Sequence, residues 1–153
     1  TAFGSMTRDV RDGGVLVTDA AGDVWIEEYL TSAPSHILNG FLWALWGVHD
    51  LVLATQRKDA EDLFERGAHT VERNLSRYDT GSWSRYDLVP NRIPCLASPF
   101  YHRLHCVQLR VMHRLTRRPA YAETAHRWES YAASPWKRRR ALVQKGLFKL
   151  AYY

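Results

Sequence analysis

The chain has 153 residues, 46% of them hydrophobic and 24% charged, an ordinary globular balance for one domain with a continuous core. No apolar run reaches the roughly 18 to 20 residues of a membrane span, and two cysteines, Cys95 and Cys106, are too few for a disulfide framework or a zinc knuckle. The net charge of +5 is unevenly spread: residues 1–100 hold 9 Lys/Arg against 14 Asp/Glu, whereas residues 101–153 hold 12 against 2.

Such asymmetry marks a face that meets a polyanion: nucleic acid, an acidic glycan or a membrane surface. The run Lys137-Arg138-Arg139-Arg140 reads either as part of that face or as a solvated helix surface. The cysteines either form one bridge or stay as free, buried thiols, so the compartment is left open.

Residues 1–12 lack the basic start and apolar centre of a secretory signal. They read as a tag or disordered start, with Gly4-Ser5-Met6 as a remnant of expression, on what looks like a piece of a longer precursor. Residues 14–17 and 24–26 are two short β-like runs around the turn residues Thr18 to Asp23, a hairpin pattern. After a break at Ser32 to Ser35, apolar residues from Ile37 to Leu53 recur at helical spacing. Trp43 and Trp46 widen the stripe, so this helix should be buried between neighbours. The spacing from Lys58 to Arg77 predicts an amphipathic helix. Gly81, Pro90, Pro94 and Pro99 punctuate Tyr78 to Tyr101, which reads as loop with a short strand within Ser82–Leu88. Helical signals return over His102–Arg117, Pro119–Ala132 and Pro135 to about Leu150, with Ser134 as N-cap of the last. The sum is a mainly α fold with a small β-hairpin near the N-terminus.

A loop of about two dozen residues inside a compact domain is usually functional. This one carries Tyr78, Arg85, Tyr86, Asp87 and Arg92 and ends at Tyr101, just before His102 and His105. The bland reading is that Tyr86 and Tyr101 are half-buried rings bonded to backbone. His102 and His105 have i, i+3 metal-ligand spacing, but no nearby Cys or carboxylate completes a set, so no metal is expected. Their alternative is to bind an anionic ligand at a helix start. In Glu27-Glu28-Tyr29, adjacent side chains of an extended segment point to opposite sides, so one glutamate is solvated. Which one stays open.

Several blocks together carry a resemblance. Trp25-Ile-Glu-Glu-Tyr29, Pro34-Ser-His-Ile-Leu-Asn-Gly-Phe41 and Gly47-Val-His-Asp-Leu51 resemble the C-terminal domain of the D-glucuronyl C5-epimerases. So do Arg66-Gly67, Tyr78-Asp-Thr-Gly-Ser82, Tyr86-Asp-Leu88, Tyr101-His-x-x-His105 and Arg127-Trp128 with Tyr131. The order and spacing agree over about residues 13–133, leaving residues 134–153 as an added basic helix. The resemblance implies part of an incomplete α/α barrel and an enzyme that converts glucuronate to iduronate within heparin and heparan-type chains. It places Glu28, Tyr29, Asn39, Tyr86 and Tyr101 among the active-site residues. Val89 stands where the family has an arginine, and the stretch from Tyr86 to Tyr101 is shorter than in the family; Arg92 is the candidate replacement.

Epimerisation at C5 needs a base and an acid on opposite faces of the sugar, with donors for the spreading negative charge. A tyrosine, with an ordinary pKa of about 10, becomes a useful base beside a cation such as Arg85 or Arg92. The expected catalytic set is Glu28, Tyr29, Tyr86 and Tyr101. Tyr86 pairs with Tyr29 or Tyr101 across the ring, and Glu28 accepts a proton or orients. Asn39, Tyr78, Arg85, Arg92, His102 and His105 are expected to bind substrate. No metal or organic cofactor is needed. The rivals are a uronate lyase, which expels the group at C4 from the same intermediate, and a non-catalytic glycan-binding or scaffold module. The expected partner is an acidic, uronate-containing polysaccharide. A homodimer or upstream domain should cover exposed helix faces, while nucleic acid is disfavoured because no recognition motif accompanies the charge.

Overall fold

The computed structural model describes residues 2–31 and 33–152. It is mainly helical with one two-stranded antiparallel hairpin, and it divides into two compact units, Thr1–Arg73 and Asn74–Tyr153.

The first unit opens with α1 (Ala2–Met6) and a 3-10 turn at Val10–Asp12. The turn is started by the Asp9 side chain and closed by Gly13 at φ 78, a left-handed value that suits glycine. Helix α1 and this turn occupy the stretch expected to be a tag or disordered start. Strands β1 (Leu16–Thr18) and β2 (Val24–Ile26) pair through Leu16 with Ile26 and Thr18 with Val24. Their turn is organised by Asp19, whose Oδ1 accepts from the amides of Ala21 and Asp23 and whose Oδ2 accepts from Trp25 Nε1. That is the aspartate turn chemistry which makes Thr18–Asp23 a reversal.

Strand β2 is buried throughout. The Val24 amide, having no strand beyond it, donates to Thr70 Oγ1 of α3 (Lys58–Asn74) at 2.9 Å. Helix α2 (Leu38–Thr55) packs Leu38, Phe41, Leu42, Leu45 and Val48 into the core, with Phe41 against Trp25. Its opposite face is uncovered within the unit: Trp43 is 50% and Leu53 69% exposed. The expectation of a helix buried all round thus holds for one face. Helix α3 buries Ala60, Leu63, Phe64, Ala68 and Val71. Gly67 meets Leu45 and Phe41, where a Cβ would collide with Leu45. The helix stops at Asn74 rather than Arg77, and a 3-10 turn, Leu75–Tyr78, tightens the chain and buries Tyr78.

The hairpin is clasped to the start of α2 by Glu27, 5% exposed. Its carboxylate accepts from the Ser35 amide and hydroxyl, both at 3.0 Å, from the His36 amide at 3.1 Å and from His36 Nδ1 at 2.5 Å. Reaching both donors puts His36 at φ 49, where its ring stacks on Trp25 at 4.1 Å. Burial by itself would raise the Glu27 pKa. The hydrogen bonds from His36 and Ser35 outweigh it and hold the carboxyl below the usual glutamate range.

In the second unit α4 (Pro99–Thr116) begins three residues earlier than the spacing predicts. Ser98 Oγ caps it by accepting from the Tyr101 amide at 3.2 Å, and Pro99 fills the first turn. Helix α4 packs on α5 (Pro119–Ala133), and α5 on α6 (Pro135–Tyr152). Ser134 Oγ accepts from the Lys137 amide at the start of α6. The expected strand within Ser82–Leu88 does not form. Isolated bridges join Asp79 to Ser84 and Arg85 to Leu96, and the loop folds on itself through Arg85 N–H to Tyr78 O, Tyr86 N–H to Cys95 O and Ala97 N–H to Ser84 O. Both cysteines are free thiols.

Glu27→Gln should lower stability by about 3 kcal/mol, the scale for breaking a buried network of hydrogen bonds to a charged carboxylate. The folded-state pKa of Glu27 lies below its unfolded value, so its contribution is complete above the ordinary glutamate pKa of 4.5. It is lost as pH falls from there through the folded value. Urea unfolding of parent and variant from pH 7 to pH 3 should show the difference shrinking with acid; a constant difference contradicts the clasp.

Candidate functional site

In the first unit the clasp settles which glutamate is solvated. Glu27 is buried, and the chain bends at Glu28 and Tyr29, leaving both exposed, Tyr29 at 56%. The Glu28 side chain lies over Gly40 in the first turn of α2, and a Cβ at position 40 would overlap its carboxylate. Gly40 therefore leaves the space that Glu28 occupies, a contact that sequence reasoning passed over although Gly40 sits inside the block Asn39-Gly40-Phe41. Asn39 is buried beside it. Tyr29 also lines a hollow of ≈ 420 Å³ with Asp9, Arg11, Leu30 and Pro34. Arg11 there is engaged by Asp9 at 2.8 Å.

In the second unit the loop after Tyr78 is anchored at both ends. Asp79 accepts from Arg127 Nε at 2.8 Å, the Gly81 amide at 2.8 Å and the Tyr131 hydroxyl at 3.2 Å. Burial pushes its pKa up, but the Arg127 and Gly81 bonds prevail and keep it ionised below the usual aspartate range. Tyr78 is fully buried.

Ser84, His102 and His105 form a buried hydrogen-bonded cluster, in which His105 Nε2 has no partner among the described residues. The Ser84 amide donates to His102 Nδ1 at 3.2 Å, and Ser84 Oγ lies 2.8 Å from His102 Nδ1 and 3.0 Å from His105 Nδ1. His102 Nε2 is 2.9 Å from the Trp128 carbonyl, which only accepts, so that nitrogen carries the proton. His102 Nδ1 is then the acceptor. One consistent arrangement follows: His105 Nδ1–H donates to Ser84 Oγ, and Ser84 O–H donates to His102. Trp83 stacks on His102 at 3.8 Å and donates from Nε1 to Ala97 O.

Both rings are fully buried. Burial lowers the His102 pKa, and burial together with His102 lowers that of His105 to about 3. Neither histidine is charged at neutral pH and neither reaches a surface. The expectation that they hold a substrate carboxylate is corrected: they position the loop above them. The signal missed was the 3.6-residue period, which puts His102, His105, Cys106, Leu109 and Met112 on one buried face of α4.

What the loop does present is a pair of tyrosines. The Tyr86 and Tyr101 rings meet edge to face, 5.0 Å between centroids and 65° between planes. Both line a cavity of ≈ 450 Å³ with Cys95, Ser98, Lys145, Phe148 and Lys149. Lys145 Nζ also donates to Leu96 O at 2.8 Å. Burial and the nearby Asp87 push the Cys95 thiol up to about 11, so it stays protonated. Arg85 turns away from this cavity, donating from Nη2 to Val89 O at 3.1 Å. Arg92 is exposed and is not part of the cavity wall. The positive charge at the tyrosines therefore comes from α6, through Lys145 and Lys149. Charge counting had located that cluster without tying it to any tyrosine. No group of three or more potential metal ligands occurs among the described residues, and none of their helices is long and apolar enough to cross a membrane.

Fold and site together define a mainly helical protein with a β-hairpin and a surface cavity walled by paired tyrosines and lysines. The chain belongs to the D-glucuronyl C5-epimerase C-terminus family, which it matches over residues 1–130. It is 33% identical over 136 residues to a D-glucuronyl C5-epimerase of Caenorhabditis elegans, covering 79% of this chain and 22% of that one. It is 30% identical over 104 residues to an uncharacterized protein of Methanocaldococcus jannaschii, covering 68% of this chain and 32% of that one. The chain thus spans about a fifth to a third of the length of these relatives. The matched span includes α1 and stops before α6.

The buried histidine core has a direct readout. Imidazole NMR should show His105 neutral from pH 8 down to pH 5, titrating only near its depressed value of about 3. An ordinary midpoint near 6.5 would place the ring at the surface and contradict the core assignment.

Proposed function

We propose that this chain is a uronate C5-epimerase domain acting within an acidic polysaccharide, converting glucuronate to iduronate. The observation that carries the reading is the Tyr86–Tyr101 pair on a cavity wall with Lys145 and Lys149, in a member of this family. In the proposed reaction the C5–H bond breaks, and the proton passes to a tyrosinate or carboxylate oxygen on one face. The electron pair spreads into the adjacent carboxylate, where an ammonium stabilises it. A tyrosine O–H on the other face then delivers a proton to C5. The substrate is neither oxidised nor reduced, and the two protein groups exchange protonation states in each turnover.

Rings whose centroids are 5.0 Å apart leave no room for a sugar between them. Tyr86 and Tyr101 therefore serve one face, and the group for the other face lies outside this pair. Glu28 and Tyr29 are the residues that the family resemblance assigns to the reaction, with Asn39 in substrate binding. Tyr78, His102 and His105 act as support, while Arg85 and Arg92 are secondary candidates for the anion. We further assign α2 to α6 to part of an incomplete α/α barrel, with residues 13–133 as the epimerase-like domain and residues 134–153 as an added basic helix. Exposed Trp43, Leu53, Trp136 and Leu150 suit a covering domain or second copy.

One observation favours a non-catalytic glycan-binding module as the second reading. Val89 stands where the family pattern has an arginine, and Arg92 does not line the tyrosine cavity.

Incubation with unsulfated heparosan in deuterated water separates the readings. Epimerisation places deuterium at C5 of an intact chain, and elimination leaves an unsaturated uronate end. Tyr86→Phe and Tyr29→Phe should each cut exchange by at least about a hundredfold, the scale for a lost general acid or base, with affinity within about threefold. Gly40→Ala should cut exchange by displacing Glu28 while leaving the fold intact. Binding without exchange or cleavage would establish the second reading.

A further inference from the structure

Helix α6 shapes more than the tyrosine cavity. A second hollow of ≈ 400 Å³ lies along the same helix, with Trp83, Ala97 and Pro99 opposite Arg138, Arg139 and Lys145. A third of ≈ 280 Å³ adds Arg103 and shares Trp83, Pro99 and Arg138. Lys145 belongs to the walls of both the tyrosine cavity and the second hollow. Through these shared residues the three join into one trough beside α6. From Arg138 to Lys149 it follows about 16 Å of helix axis.

The guanidinium charge along this trough is uncompensated, whereas Lys145 lies near enough to the Asp87 carboxyl to favour its ionised form. Helix α6 contains no Asp or Glu. Among the described residues, Arg103, Arg138, Arg139 and Lys149 form no ion pair, whereas Arg110 is paired with Glu129 and Arg127 with Asp79. Lys137, on the same helix, is spent over the Tyr131 ring at 3.9 Å. The wall between the cations is apolar, made by alanine and proline. An apolar strip rimmed by guanidinium groups suits a chain of sugar rings bearing carboxylates or sulfates, each anion reaching the rim while C–H faces rest on the strip. Single-stranded nucleic acid stacks on exposed rings; Trp83, the ring in the walls of the two arginine-lined hollows, is only 2% exposed, while exposed Trp136 lies outside them.

We infer that Arg103, Arg138 and Arg139 form an extended anionic subsite that holds sugars of the acidic polysaccharide flanking the one in the Tyr86–Tyr101 cavity. The ligand class rests on the epimerase-family reading. The site itself does not, because Arg138 and Arg139 lie beyond the span matched to the family.

The test is Arg138→Ser/Arg139→Ser in the full chain, with labelled heparosan octasaccharide and disaccharide as probes. Octasaccharide affinity should fall about tenfold, as for two partly solvated ion pairs. The slope of log affinity against log salt should flatten by about two as fewer counterions are released. Disaccharide binding should not change. Arg114→Ser/Arg117→Asn, at the far end of α4, removes the same charge and should leave both probes unaffected. An unchanged octasaccharide affinity, an equal loss in that control, or tighter capture of an oligonucleotide through the same arginines overturns the subsite. Reduced octasaccharide binding in a protein that never exchanges C5 protons keeps the subsite and overturns the epimerase reading. Normal exchange with unchanged affinity does the reverse.

Discussion

A carboxylate taken out of water has to find its donors nearby, and Glu27 finds four on two adjacent residues, Ser35 and His36. Left unpaired, it would cost several kcal/mol. Meeting this demand forces His36 into left-handed backbone, brings Ser35–Leu38 against the hairpin, and sets where α2 begins. Directly after this clasp the chain bends at Glu28 and Tyr29, and the Glu28 side chain lies exposed over Gly40. The buried charge and the exposed acid that the proposed chemistry uses are thus adjacent residues on one anchored segment.

The second unit meets a similar demand without charge. Ser84 of the loop bonds His102 and His105 of α4, with Trp83 stacked on His102, although His105 Nε2 stays buried without a partner among the described residues. A neutral polar core of this kind needs no counterion; it ties the irregular loop to α4 at Ser84, and Ala97 closes the loop on itself through Ser84 and Trp83. Tyr86 lies between Ser84 and Ala97, and Tyr101 follows in the first turn of α4. Helix α6, outside the family's matched span, then supplies Lys145 and Lys149 to the same wall. A family scaffold and an added basic helix therefore meet at one cavity, which is why the positive C-terminal third bears on function.

The helices were legible because their periods are strong: α3, α4, α5 and α6 lie within a few residues of where apolar spacing and proline positions put them. So was the hairpin, from its aspartate and glycine turn. The loop after Tyr78 was not, since its order comes from contacts between Ser84 and a helix 18 residues on, and no local pattern encodes them. His102 and His105 read as surface donors although the helical period places them on the buried face of α4. The sequence shows a histidine but not the serine that meets it, nor the tryptophan over it. Lys145 and Lys149 were counted as charge only, because their place beside Tyr86 and Tyr101 is a matter of tertiary packing. The family resemblance singled out Tyr86 and Tyr101, but as a possible pair across the sugar ring, which their 5.0 Å contact leaves no room for; it carried nothing about α6.

The central claim is that an anionic sugar ring binds at the Tyr86–Tyr101 wall. Tyrosines labelled with ¹³C at Cζ report on it one residue at a time during titration with a heparosan oligosaccharide. The account predicts saturable shifts of Tyr86 and Tyr101 at a common midpoint, with buried Tyr78 and Tyr121 unmoved. Saturable binding that leaves both Tyr86 and Tyr101 unshifted would contradict it.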